Sequence, residues 1–192
     1  MAAVMPDIGR PPLTAVVLGC GQRGRGYATF ALDFPQHLKI VGAADPLPAC
    51  LDKMERDYGL SQDQLFSDWR EVAALEERLA DIAMVCTQDR MHFEAAAAMA
   101  RKGYHLILEK PMSNDEAECE QMVDVVLDSG VSAVVCHVLR YFPPCTKIKE
   151  VIESGALGEV TTIDHRENIL YWHFAHSFVR GNWRREDQSS FR

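Results

Sequence analysis

The chain has 192 residues, 47% of them apolar and 25% charged, with a formal net charge of −8. That length holds one full domain, or one domain and part of another. No apolar run nears the ~20 residues that a membrane span requires, and the acidic balance argues against nucleic acid, whose phosphates need a basic face. Residues 1–12 lack the basic-then-apolar order of a secretory leader and read as a flexible tail. The six cysteines, Cys20, Cys50, Cys86, Cys119, Cys136 and Cys145, form no C-x-x-C pair, so no metal site is predicted. Several sit in apolar runs, which suits packed free thiols in a reducing, cytoplasmic compartment.

Apolar runs and amphipathic stretches alternate along the chain. Leu13 to Leu18 reads as a buried strand and runs directly into glycines. Gln22 to Asp33 reads as a helix, and Leu38 to Ala44 as a second strand ending at Asp45-Pro46. Pro48 to Tyr58 is a helical stretch closed by Gly59. Gln64 to Ser67 suits a short third strand, with Asp68 placed to cap the helix after it. Asp81 to Cys86 is a further buried strand, and Met91 to Lys102 an alanine-rich helix with Gly103 just past its end. Tyr104 to Leu108 reads as a strand, Ser113-x-x-Glu116 as a capping box for a helix reaching Ser129, and Val131 to Cys136 as the last strand of this set. Continuous apolar strands alternating with helices predict a doubly wound parallel sheet covered on both faces. After Arg140 the rhythm changes. Pro143-Pro144 opens a helix ending near Gly155, and Glu159 to Tyr171 then reads as one long strand of mixed polarity, suited to a second domain.

Gly19-Cys20-Gly21-Gln22-Arg23-Gly24 matches G-x-G-x-x-G, and Asp45 lies 21 residues after Gly24. The match follows a strand, opens a helix and has an acid at the end of the next strand, which is the context that dinucleotide binding requires. Gly19 permits a tight turn, Gly21 lets backbone approach a pyrophosphate, and Gly24 lets the helix pack close to the strand. The N–H groups at the start of that helix, from Gln22 and Arg23 onward, face the phosphates. A carboxylate at Asp45 accepts hydrogen bonds from an adenosine ribose and repels a 2′-phosphate, which favours NAD over NADP. Arg23 and Arg25 pull the other way, since either can reach a phosphate. The bland alternative is a structural glycine turn with Asp45 capping a helix.

Glu109-Lys110-Pro111 follows a buried strand directly. The carboxyl ends of parallel strands form the ligand crevice, and a partly desolvated lysine there can act in proton transfer. Thr87-Gln-Asp-Arg-Met-His92 follows another strand end, where Asp89 can cap the next helix and His92 can donate to a ribose or substrate hydroxyl. For His92, a purely structural role is the competing reading.

Together, the glycine turn, Asp45, Thr87-Gln-Asp-x-x-His92 and Glu109-Lys110-Pro111 resemble the Gfo/Idh/MocA oxidoreductases. The likeness continues through Arg140-Tyr-Phe-Pro143 and Ile152-Glu-Ser-Gly-Ala-Leu-Gly-Glu159, reaching to about residue 185. The resemblance implies an NAD(P)-binding Rossmann domain over residues 13–138. It also implies that residues 139–192 begin a second α/β domain with an open, mainly antiparallel sheet. The substrate would be a sugar, cyclitol or related polyol, and full-length relatives would be homo-oligomers. Lys110 falls on the lysine that binds substrate and moves a proton. Glu109 falls on a cofactor contact, Thr87 and His92 on the nicotinamide side, and Arg140 on an arginine just past the Rossmann domain. His176, Arg180, Trp183 and Arg184 resemble a subgroup and are candidates for the substrate pocket; the alternative places them on an exposed sheet face and its following loop.

Family members are considerably longer, and past the Trp-Arg segment they carry a helix with a His and an Asp beside the lysine. No His follows His176 here, and Asp187 to Arg192 matches nothing in the family. The resemblance therefore implies a truncated second domain, with the strand from Glu159 exposing an apolar face and an unpaired edge. The function implied is hydride transfer between nicotinamide and a secondary alcohol of a sugar-like substrate. A cofactor-retaining glycosidase would use the same residues, and a non-catalytic dinucleotide-binding protein is the third possibility.

Overall fold

Six strands run parallel in one sheet: β1 (Leu13–Leu18), β2 (Leu38–Ala44), β3 (Leu65–Phe66), β4 (Ile82–Val85), β5 (His105–Leu108) and β6 (Ala133–Val135), in the order β3-β2-β1-β4-β5-β6. The fold is given by a computed structural model, which describes residues 9–185. The chain divides into two compact units, one reaching Val135 and one starting at Cys136.

Two-sided burial explains the apolar strands. Side chains alternate across a sheet, and here each set meets its own core. Val16 and Leu18 of β1, Ala83 and Val85 of β4, and Leu106 and Leu108 of β5 enter one cluster. Ala15, Val17 and Met84 enter the other. The strand order turns back between β1 and β4, so the crevice of a doubly wound sheet opens at their carboxyl ends.

Helices cover both faces. The predicted helix from Gln22 is two segments, α1 (Gln22–Ala28) and α2 (Phe30–Asp33), divided at Thr29, whose hydroxyl donates to the Gly26 carbonyl at 2.7 Å. Next come α3 (Pro48–Tyr58), closed by Gly59 in the left-handed region at φ 65°, and α4 (Trp69–Ala74). Asp68 caps α4 as predicted, accepting the Arg70 N–H at 2.8 Å. A 3₁₀ turn (Asp89–Met91) leads into α5 (His92–Arg101), so Asp89 lies in that turn and Met91 occupies the N-cap. Ala95, Ala96, Ala97, Met99 and Ala100 of α5 are buried.

The helix α6 (Glu116–Ser129) corrects one expectation. Its N-cap is Asp115, which accepts the Glu118 N–H at 3.1 Å. Ser113 lies two residues earlier, donating its hydroxyl to the Glu118 carboxylate and accepting the Asp115 N–H at 3.1 Å. The charged acceptor has taken the cap from the serine.

The second unit holds α7 (Pro143–Glu153), α8 (Tyr171–Phe174) and single turns at Val138–Tyr141, Ala175–Val179 and Asn182–Arg184. The strand predicted from Glu159 to Tyr171 does not form. A strand needs a neighbour to take its backbone hydrogen bonds, and no strand is present among the described residues of this unit. Ile163, Ile169 and Leu170 consequently lie exposed. Most of the tail predicted for residues 1–12, and the ending Asp187 to Arg192, lie outside the described residues.

Candidate functional site

The glycine turn joins β1 to α1, and each glycine meets a different constraint. Gly19 takes φ 89°, and a Cβ on it would stand 2.4 Å from the Cys86 carbonyl oxygen. A Cβ on Gly24 would stand 2.0 Å from the Gly19 carbonyl oxygen. Both glycines are demanded by the turn and by close packing. Gly21 differs: its φ is an ordinary −66°, and a Cβ there would meet no atom within 4 Å. Neither conformation nor packing requires glycine at 21, so the clear space beside this backbone is what a bound group would use.

Asp45 follows β2 and is buried. Its Oδ2 accepts the Cys20 N–H at 2.7 Å and its Oδ1 accepts the Leu47 N–H at 2.9 Å. The carboxylate thus ties the glycine turn to the end of β2. Each oxygen keeps a second lone pair for a ribose hydroxyl. The Cys20 thiol beneath the turn is pushed well above its usual value, by burial first and then by the Asp45 carboxylate.

Glu109 follows β5 and is buried beneath the same crevice. Its Oε1 accepts the Tyr27 hydroxyl at 2.6 Å and lies 3.6 Å from the Arg23 Nε, while its Oε2 accepts the Lys110 N–H at 2.6 Å. Arg23 and Tyr27 are four residues apart on α1 and so share one face. The sequence reading passed over Tyr27; this i, i+4 spacing from Arg23 is the signal that could have found it. Gln22 is exposed at the start of α1, and the Arg25 Nε donates to the Gly21 carbonyl at 3.4 Å.

Lys110 is exposed, so the partial desolvation expected for it is not supplied by the residues around it. The Lys110–Pro111 peptide is cis. Thr87, just past β4, has a buried hydroxyl oxygen with no hydrogen-bond partner among the described residues. A buried hydroxyl without a protein partner is uncommon, and this one is able to meet a bound group. His92 does not reach into the crevice. It is 1% exposed, with Nδ1 at 2.6 Å from the Pro111 carbonyl oxygen and Nε2 at 3.0 Å from that of Thr87. Its expected donation to a ribose or substrate hydroxyl is replaced by contacts to two backbone carbonyls.

In the second unit, Arg140 lies exposed in the turn Val138–Tyr141. His176 and Arg180 are exposed at and just after the turn Ala175–Val179, and Trp183 is half-buried beside exposed Arg184. These residues lie on turns, and none is on a sheet face.

A six-stranded sheet in this order, a glycine turn after β1 and a carboxylate after β2 define a dinucleotide-binding Rossmann domain. Residues 13–137 match the model of the Gfo/Idh/MocA oxidoreductase family, described by its NAD-binding Rossmann fold, and the chain belongs to that family. Levoglucosan dehydrogenase of Pseudarthrobacter phenanthrenivorans is 30% identical over 122 residues, which are 64% of this chain and 30% of the relative. The NAD-dependent scyllo-inositol 2-dehydrogenase of Bacillus subtilis is 25% identical over 145 residues, 74% of this chain and 41% of that protein. Among solved structures, the WlbA dehydrogenase from Bordetella pertussis, in complex with NADH and UDP-GlcNAcA, superposes with a TM-score of 0.67 at 25% identity, covering 76% of this chain and 42% of that one. The chain therefore spans less than half the length of each of these relatives. No helix among the described residues is long and apolar enough to cross a membrane.

Proposed function

We propose that this chain binds NAD(H) across the carboxyl ends of β1, β2, β4 and β5, as the cofactor domain of an oxidoreductase acting on a secondary alcohol of a sugar or cyclitol. The observation that carries the reading is the junction of the glycine turn with Asp45 through the 2.7 Å Cys20 bond, beside the clear space at Gly21. The unpartnered Thr87 hydroxyl fits the same bound group further along the crevice.

Asp45 would accept the adenosine ribose hydroxyls. Its negative charge opposes a 2′-phosphate, and the two arginines that could offset it are directed elsewhere, Arg23 toward Glu109 and Arg25 toward the Gly21 carbonyl. This supports NAD over NADP. When bound, nicotinamide supplies the acceptor or donor of hydride. The chain's part is to orient the alcohol and handle its proton. Lys110, in its amine form, would hold the substrate hydroxyl at Nζ and take its proton as the alcohol is oxidised to a ketone, and as the ammonium would return that proton in the reverse direction. Glu109, fixed by Tyr27 and the Lys110 backbone, sets the base of that lysine turn. Sugar and cyclitol substrates are supported by the dehydrogenases to which the chain is similar. Arg140, His176, Arg180, Trp183 and Arg184 remain our candidates for substrate contact.

A second reading, dinucleotide binding without turnover, is favoured by the exposure of Lys110. Calorimetric titration with NAD⁺, NADH and NADP⁺ tests the shared claim: NAD(H) should bind more tightly than NADP⁺, and no heat from any of the three overturns both readings. A panel of inositols and sugars then separates them by whether NADH appears.

A further inference from the structure

The chemistry of the crevice lies on two turns, and one buried side chain touches both. Thr87 and its unpartnered hydroxyl sit on the turn after β4, while Lys110 and Pro111 sit on the turn after β5. His92, the first residue of α5, lies behind them at 1% exposure. Its Nδ1 is 2.6 Å from the Pro111 carbonyl oxygen and its Nε2 is 3.0 Å from the Thr87 carbonyl oxygen. A neutral imidazole has one N–H and an imidazolium two, so at least one of the two carbonyls accepts a hydrogen bond from His92 at any time.

The direction of the ligand follows from the sheet. Asp45 stands at β2 and the glycine turn at β1, on one side of the point where the strand order reverses; β4 and β5 stand on the other. A dinucleotide with its adenosine ribose at Asp45 and its phosphates at the glycine turn must lay its second nucleoside over the ends of β4 and β5. Those are the two turns that His92 joins.

We propose that His92 is a positioning residue: it touches no ligand, but fixes the Thr87 and Lys110 turns against each other and so sets the seat of the nicotinamide half alone. The adenosine half is held by the Asp45 junction, which shares no hydrogen bond with His92. The inference rests on the proposed NAD(H) site and extends it to a residue that lies outside the ligand's reach.

The test separates the two halves of the ligand. NADH and ADP are titrated against the whole chain and against His92→Phe, His92→Asn and His92→Gln. ADP carries the adenosine and the diphosphate but lacks the nicotinamide riboside. An Asn amide can stand in for Nδ1 toward Pro111, and a Gln amide for Nε2 toward Thr87. In His92→Phe, NADH affinity should fall about tenfold or more, while ADP affinity stays within about twofold. His92→Asn and His92→Gln, each keeping one of the two contacts, should bind NADH with affinities between those of the natural chain and His92→Phe. Equal losses of NADH and ADP would mean that His92 is merely structural and would overturn the proposal; so would an unchanged NADH affinity in all three variants. If His92→Phe does not fold, the ratio of NADH to ADP affinity in the two amide variants decides: it falls in at least one of them, or the proposal is wrong. Failure of the unsubstituted chain to bind either ligand would instead refute the cofactor site itself, and this inference with it.

Discussion

Gly21 and Gly24 stand three residues apart in one turn, yet they answer to different things. A methyl group on Gly24 would be driven into the Gly19 carbonyl at 2.0 Å, a backbone atom that cannot move aside without reshaping the turn. Gly24→Ala should therefore destabilise the domain by about 3 kcal/mol, the upper end of ordinary overpacking, and lose NADH binding along with the fold. A methyl group on Gly21 meets nothing within 4 Å. Gly21→Ala should leave the thermal midpoint unchanged and still weaken NADH at least about tenfold, or about 1.4 kcal/mol, because the methyl group would fill the space meant for the ligand. Differential scanning fluorimetry and NADH titration on both variants check the pair; a Gly21→Ala protein that binds NADH normally would remove the best argument for the site. The glycines and Asp45 were legible because their motif carries its own spacing. Tyr27 and the true place of His92 were not. Hydrogen bonds such as Tyr27 to Glu109, 82 positions apart, or His92 to Pro111, 19 apart, exist only once strand ends have been brought together.

At the scale of elements, β1 and β4 are locked at their amino ends by one reciprocal contact. The Asp81 Oδ2 accepts both the Thr14 N–H, at 2.9 Å, and the Thr14 hydroxyl, at 2.8 Å, and the Thr14 Oγ1 accepts the Asp81 N–H at 2.9 Å. These bonds hold the Asp81 carboxyl below its usual 3.8, the backbone bond contributing most. A carboxyl depressed in the folded state stabilises it fully above the unfolded value, and that stability disappears as pH falls through the folded value. Urea midpoints should thus show Asp81→Asn to be less stable than the natural chain at neutral pH, with the gap closing below about pH 4. A gap that stays constant down to about pH 3 would show that the carboxylate charge is not what the clamp uses. The strands themselves were readable from the sequence because burial on both faces makes them continuously apolar. Glu159 to Tyr171 failed as a strand for a different reason. Mixed polarity suits a sheet with one exposed face, but a strand also needs a neighbour, and that is a property of the rest of the sheet.

At the scale of the whole chain, the two units differ in what protects their backbone. Up to Val135, the strands give their N–H and C=O groups to a six-stranded ladder with a core on each face. From Gly158 to Leu170, the second unit has neither helix nor strand, and the side chains from 159 to 170 are all exposed. A protease must draw an extended segment into its cleft, so cleavage follows exposed backbone that is not tied into secondary structure. Limited trypsin digestion of the intact chain should therefore cut first at Arg166, within that exposed stretch. Arg25 in α1 and Arg101 in α5, both helical, should be cut later. Every residue proposed for the dinucleotide, from Gly19 to Lys110, precedes Val135. The large fragment left by the first cut should bind NADH with the affinity of the uncut chain, within about twofold. Early cuts at Arg25 or Arg101 would show that the backbone of the first unit is itself open to the protease, and loss of NADH binding at the first cut would overturn the claim that the dinucleotide residues suffice without the residues beyond it.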